Sequence, residues 1–256
     1  ESEPLNHAYG TNGIITSLTI STDVKQDWYA IVIDCEDFQN AINILKLCTS
    51  AAIELKLGAI LEDEIVDKMP SWFKRRKVCH KLLIQSNFGG LETIELICKK
   101  NKVNFENLGI EDELDHGISD LVWNHTTLQM RAKDKNWTYL QMLLPLNEEF
   151  KLIKSLRDKY GKELLWHLEA VSQQGIPRLA ALPLLRWKDE KQLNEMMDDC
   201  SSLGAIIFNP HVVTVEGGGL GVTDADQVKA KQIYDPKGLL NPGKLRGWAE
   251  KEKFIY

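Results

Sequence analysis

Of the six histidines in this chain, His125, His167 and His211 stand beside other polar groups with which they could do acid–base or ligand chemistry. In Trp123-Asn124-His125-Thr126-Thr127-Leu128 an imidazole stands among hydroxyl, amide and indole groups. Imidazole titrates near neutral pH, so His125 can take a proton from a substrate hydroxyl without large tuning. Arg131, further along the same segment, offers a planar fork that grips a carboxylate through two parallel bonds. The structural alternative puts Trp123 in the core and lets His125 cap a turn with its threonine neighbours. His167 and Glu169 flank Leu168, which on a strand places both on one face. A metal needs several ligands converging with defined geometry, so this pair reads as a polar strand face and no metal is expected. His211 follows Asn209-Pro210 and precedes Glu216-Gly217-Gly218-Gly219-Leu220-Gly221. That glycine run lets backbone approach a ligand, or serves only as a link between a strand and a helix.

Two other segments place backbone rather than reactive groups. In Tyr234-Asp235-Pro236-Lys237-Gly238-Leu239-Leu240-Asn241-Pro242-Gly243-Lys244, the prolines fix φ and remove donors while the glycines allow reversals, which predicts a rigid double turn. The turn aims Asn241, whose amide both donates and accepts. In Ala8-Tyr9-Gly10-Thr11-Asn12-Gly13-Ile14-Ile15-Thr16, Gly10 and Gly13 allow close approach and expose N–H groups to ligand oxygens. Ile14, Thr16, Leu18 and Ile20 then alternate with Ile15, Ser17 and Thr19, the period of a strand with one buried face.

These two segments resemble FAD-linked oxidases of the vanillyl-alcohol oxidase type. The tail resembles the D-P-x-G-x-L-N-P-G-K signature that ends such chains. The early segment is similar to G-T-x-G-I-I-T, which comes late in their flavin-binding domain, and a W-N-H-T-T segment is similar to one in related flavin-linked oxidoreductases. The resemblance implies FAD as cofactor, contacted by Gly10, Thr11, Gly13, Ile14, Ile15 and Asn241. It implies His125 or His211 as the base, Arg131 as the carboxylate anchor, and a small hydroxy acid or alcohol that passes a hydride to the flavin. It implies an upstream flavin-binding domain as partner, since the loops that grip the pyrophosphate have no equivalent here. Residues 1–22 then end that domain, and residues 23–256 form the substrate or cap domain with a flavin-contacting tail; the fragment alone is expected to be inactive and to bind FAD weakly. The chain departs from relatives of glycolate oxidase and D-lactate dehydrogenase at two places. The segment from His167 to Gly175 lacks their G-H-x-G-D-G-N-x-H hairpin, and the Glu216 run lacks the His of E-H-G-I-G. A non-catalytic ferredoxin-like binding or regulatory module is the competing reading.

The elements that must position these groups follow from patterning. At 256 residues and 43% hydrophobic content the chain can bury a substantial core. A formal charge of −6 argues against nucleic acid, and the basic run Lys74-Arg75-Arg76-Lys77 reads as a solvated loop after Met69-Pro70. No apolar run reaches membrane-spanning length. Five cysteines without C-x-x-C spacing predict reduced, mostly buried thiols and a cytoplasmic setting; a homodimer is compatible with all of this. Strand and helix periods predict β-α-β-β-α-β over Trp28 to Phe105, with a weak strand at Leu55 to Ile60. The order repeats over Trp137 to Phe208, with strands at Trp137 to Leu143, Glu163 to Val171 and Arg178 to Trp187. The fold class is therefore α+β: two ferredoxin-like halves sharing an antiparallel sheet, helices on one face, and a C-terminal helix and tail.

Overall fold

A computed structural model describes residues 3–74, 77–218 and 225–248. The chain divides into two compact units, Lys25–Ile207 on its own and Glu1–Val24 together with Phe208–Tyr256.

The larger unit begins with β1 (Tyr29–Cys35), whose apolar run is buried on both faces, as a central strand requires. Asp37 then accepts the amide of Asn40 at 2.7 Å and starts α1 (Phe38–Ser50). β2 (Leu55–Leu61) follows, then two single turns, α2 (Asp63–Val66) and α3 (Ser71–Lys74), in the helix-prone stretch after Leu61. β3 (His80–Ser86), α4 (Leu91–Lys100) and β4 (Asn104–Ile110) complete the first half. A connecting helix, α5 (Asn124–Lys133), carries the Trp123 cluster. The second half comprises β5 (Trp137–Tyr139), β6 (Gln141–Leu143), α6 (Glu149–Tyr160), β7 (Leu164–Leu165), β8 (His167–Gln173), β9 (Ile176–Ala181), β10 (Leu184–Arg186), α7 (Glu190–Ser202) and β11 (Ile206–Phe208).

The main sheet runs β11-β6-β9-β8-β2-β3-β1-β4. Within each half the order is fourth, first, third, second strand, so the two ferredoxin-like halves are present. They join where β2 and β8 pair antiparallel, Ala59 with Glu169, Ile60 with Leu168 and Leu61 with His167. Ile31, Ile33, Ile60, Leu82, Ile84 and Leu168 point to one face and form a continuous core with α1, α4, α6 and α7. The opposite face also has a cover, which the patterning did not predict. Ile65, Met69 and Phe73, the 118–133 segment and a second sheet in the order β5-β10-β7 bury Ala30, Val32, Ala59 and Leu83 there. That second sheet exists because each of three expected strands breaks in two, at Leu140, at Trp166 and at Leu182-Pro183. Pro183 lacks the N–H that a continuing ladder needs. All five cysteines are buried and unpaired, and burial pushes the thiols of Cys35, Cys48, Cys98 and Cys200 up to about 12.

The smaller unit contains a 3₁₀ turn at Glu3–Leu5, α8 (Val215–Gly218), α9 (Ala225–Tyr234) and the tail. The strand expected after Gly13 has no ladder partner among the described residues: residues 13–24 carry no strand assignment. Ile14, Ile15, Leu18, Ile20 and Val24 are each 65–80% exposed. A strand buries one face only against a sheet, and none of the described residues supplies that edge. Arg75, Arg76 and the Gly219-Leu220-Gly221 portion of the glycine run lie outside the described residues.

Candidate functional site

In the larger unit the cluster around His125 forms a strained corner. Trp123, just before α5, has φ 53° and ψ −140°, a conformation that costs an L-residue roughly 1–3 kcal/mol. Its indole is 43% exposed, so it does not sit in the core. Its amide donates to Glu169 Oε1 at 2.6 Å. Glu169 reaches the corner from β8, on the sheet face opposite the four long helices. His167, two residues earlier on that face, is fully buried with Nε2 3.1 Å from the same Oε1. The ring nitrogens of His167 make no aligned hydrogen bond, so the contact is one of proximity and charge. The predicted polar face is present, buried at the seam between the halves.

His125 lies exposed in the first turn of α5, with Nδ1 3.2 Å from the carbonyl of Ser119. Thr126 turns inward and donates to Leu121 O at 2.6 Å. Arg131 donates from Nη1 to Trp137 O at 2.8 Å, tying α5 to β5. Six residues at about 100° each leave His125 and Arg131 roughly 120° apart around the helix, so they do not converge. Patterning missed a further charged pair on this face: Lys81, fully buried, is salt-bridged to Asp34 and lies 3.5 Å from Cys79 Sγ. By register His167, Leu61, Lys81 and Asp34 stand side by side across four strands. The available signal was a lysine inside an otherwise apolar strand.

Glu62, Asp63 and Glu64 are the one group of metal-ligating types that converges among the described residues. Glu62 is already engaged, pairing with Arg157 and accepting the Trp166 amide at 2.6 Å. Burial pushes its carboxyl up to about 7 against the pull of Arg157.

In the smaller unit the two segments that patterning singled out meet. Asn241 Nδ2 donates to the carbonyl of Tyr9, and a Cβ added at Gly10 (φ +66°) would fall 2.9 Å from that Nδ2. Gly10 is therefore required twice, for its positive φ and for the space Asn241 takes. A carbonyl can only accept, so the Asn241 amide is oriented with Oδ1 away from Tyr9; among the described residues Oδ1 has no donor. Thr11 and Asn12 are buried and hold the loop, Thr11 Oγ1 to Ala8 O at 2.6 Å and Asn12 Nδ2 to Pro4 O at 2.8 Å. The side chains of Ile14 and Ile15 face outward.

The predicted double turn is built around Asp235. Its carboxylate accepts Lys231 Nζ at 2.6 Å, Leu240 N at 2.7 Å and Leu239 N at 3.0 Å, and Lys231 with these amides holds its pKa down at about 2. Gly238, Asn241 and Gly243 all have positive φ. Further along, Glu216 Oε1 accepts Gly247 N at 2.9 Å. Burial pushes the Glu216 carboxyl up, but the Gly247 and Arg246 amides outweigh it and leave the group below its usual range. His211 is exposed, and its amide donates to Asn209 Oδ1 at 2.9 Å. Gly10, Thr11, Gly13, Ile14, Ile15, Asn241 and His211 thus belong to one unit, and His125 and Arg131 to the other.

No protein-family model and no curated protein matches the sequence. Solved structures do match. One crystal form of alkyldihydroxyacetonephosphate synthase aligns with a TM-score of 0.56 at 13% identity, over 84% of this chain and 43% of that one. A second form aligns with a TM-score of 0.53 at 14% identity, over 85% and 44%. What this chain shares with that synthase is a fold, over less than half of the synthase's length.

Proposed function

We propose that the chain is the carboxy-terminal part of an FAD-linked oxidoreductase, in which a small hydroxy acid or alcohol passes a hydride to the flavin. The observation that supports this best is the Asn241–Tyr9 contact. The two segments that resemble flavin-linked oxidases lie 232 residues apart and touch. Gly10, Thr11, Gly13, Ile14, Ile15 and Asn241 would hold the cofactor, with Asn241 Oδ1 as an acceptor for a ligand N–H. Bound FAD supplies the two-electron acceptor. His125 takes the hydroxyl proton, with His211 as the alternative base; for Arg131 to hold the carboxylate of a substrate at His125 it has to leave the Trp137 carbonyl and swing round α5. The shared fold supports the reading at the level of architecture. The exposed alternation at residues 13–24 fits a strand whose sheet belongs to an upstream flavin-binding domain. Among the described residues no helix is long and apolar enough to cross a membrane, and five unpaired thiols fit a reducing cytoplasm.

The test is the absorption spectrum of the purified full-length protein. Flavin bands that bleach when a hydroxy acid is added anaerobically are the expected result; a full-length protein without flavin refutes the reading. A second reading, a non-catalytic module, draws on the tail, where Asp235 and Lys231 satisfy the turn from within and leave it stable with no ligand. It expects a colourless full-length protein.

A further inference from the structure

We propose that Glu169 is a positioning residue that holds the Trp123 corner in its strained conformation and so sets where Asn124 and His125 project. The inference rests on reading His125 as the proton acceptor. The carboxylate comes from the middle of the eight-stranded sheet, where Glu169 pairs with Ala59 across the seam; few positions in the unit are better fixed. Its Oε1 takes the Trp123 amide at 2.6 Å, the short, charge-assisted kind of bond. His167 stands 3.1 Å from the same oxygen and fills that side of the carboxylate.

A tryptophan at φ 53° persists only where its surroundings over-determine it. Packing of the indole does not do so, since the side chain is 43% exposed, and α5 has no side-chain cap to fix its start. Two local bonds span the corner, His125 N to Val122 O at 3.1 Å and Thr126 Oγ1 to Leu121 O at 2.6 Å, and the bond from the Trp123 amide to Glu169 is the one that ties the strained residue itself to the sheet. Without that acceptor Trp123 relaxes to negative φ, and the first turn of α5, which carries His125, rotates with it. Glu169 therefore acts through Trp123 and touches no substrate, which distinguishes it from a carboxylate that removes the proton itself.

Two substitutions separate the roles. Glu169→Gln keeps an oxygen acceptor for the Trp123 amide and removes the ionisable group, whereas Glu169→Ala removes both. In the chain as it stands, amide hydrogen exchange at residues 123–126 is expected to rise roughly tenfold in Glu169→Ala and to stay near the parental rate in Glu169→Gln. In the full-length flavoprotein, probed with D-lactate and glycolate, Glu169→Ala is expected to slow flavin reduction about tenfold or more. Glu169→Gln restores the rate with an unaltered pH profile. Unchanged exchange in Glu169→Ala overturns the proposal whatever the flavin does. A Glu169→Gln protein with a closed corner and no flavin reduction also overturns it, since Glu169 is then the base. If Glu169→Ala does not fold, the same change is made on Trp123→Gly, where glycine takes φ 53° without strain. The rise in exchange then falls below roughly threefold, and an undiminished rise counts against the clamp. Failure of the flavin reading itself shows separately, as a full-length wild type without flavin beside an exchange pattern that still holds.

Discussion

At the scale of single residues, burial and pairing decide what each ionisable group does. Glu62 loses hydration inside the protein, and the pair with Arg157 recovers only part of that loss, so its carboxyl titrates near 7 instead of 4.5. A raised carboxyl pKa means the native state binds the proton more tightly. The associated stability is fully present below about pH 4.5 and is lost as pH rises through 7. The whole excursion is on the order of 3 kcal/mol. Chemical denaturation of Glu62→Gln across pH 4 to 8 is expected to show this slope removed, because glutamine keeps an acceptor for the Trp166 amide and does not titrate; an unchanged slope assigns it to another group. Asn241 makes a different case. Asn241→Leu removes its bond to Tyr9 and puts a leucine at a positive φ, so it is expected to destabilise the chain by more than ~1 kcal/mol; on the flavin reading proposed above, FAD binding in the full-length protein weakens as well. Calorimetry of the chain and flavin titration of the whole protein read the two effects separately.

At the scale of elements, local patterning foretold what local forces decide. The apolar period of α1, α4, α6 and α7 and the Pro-Gly chemistry of the tail were all legible, and so was the weak strand at Leu55 to Ile60. What escaped was set by distant partners. The break of one expected strand into β5 and β6 occurs at Leu140, a residue with no turn character, because its two pieces join different sheets. Trp123 carries no mark of a positive φ; the carboxylate that holds it lies 46 residues away in sequence. His125 and Arg131 look adjacent in the sequence, yet the helical period separates them. The tail offers a direct check on element geometry. Gly10→Ala places a methyl 2.9 Å from Asn241 Nδ2 at a φ of +66°, so it is expected to cost more than ~1 kcal/mol. Pairing it with Asn241→Ala is expected to recover part of that cost, and thermal melts of the four proteins in the cycle measure the coupling.

At the scale of the whole molecule, the two halves make the same helix–helix contact with different chemistry. Lys46 of α1 meets Glu149 at the start of α6, while Arg157, at the matching position of α6, stacks 4.2 Å over Phe38 at the start of α1. Glu149 is buried and both of its carboxylate oxygens take Lys46 Nζ, at 3.1 and 3.2 Å, so losing the lysine leaves a buried carboxylate without that partner, whereas the arginine on an aromatic ring also buries area. Phe38→Ala is therefore expected to destabilise the protein by roughly 3–5 kcal/mol and Lys46→Ala by about 1–3 kcal/mol, as read by urea unfolding.

The extended stretch from Gly13 to Val24 has a consequence for handling the chain in solution. An unpaired backbone with isoleucine, leucine and valine on alternate positions is a template for any other copy that shows the same edge. The chain is expected to self-associate as concentration rises, through main-chain pairing that needs no unfolding. Leu18→Lys puts a charge in the centre of the stretch, the device natural edge strands use against such growth. Light scattering over a concentration series is expected to show the variant monodisperse where the parent forms larger species.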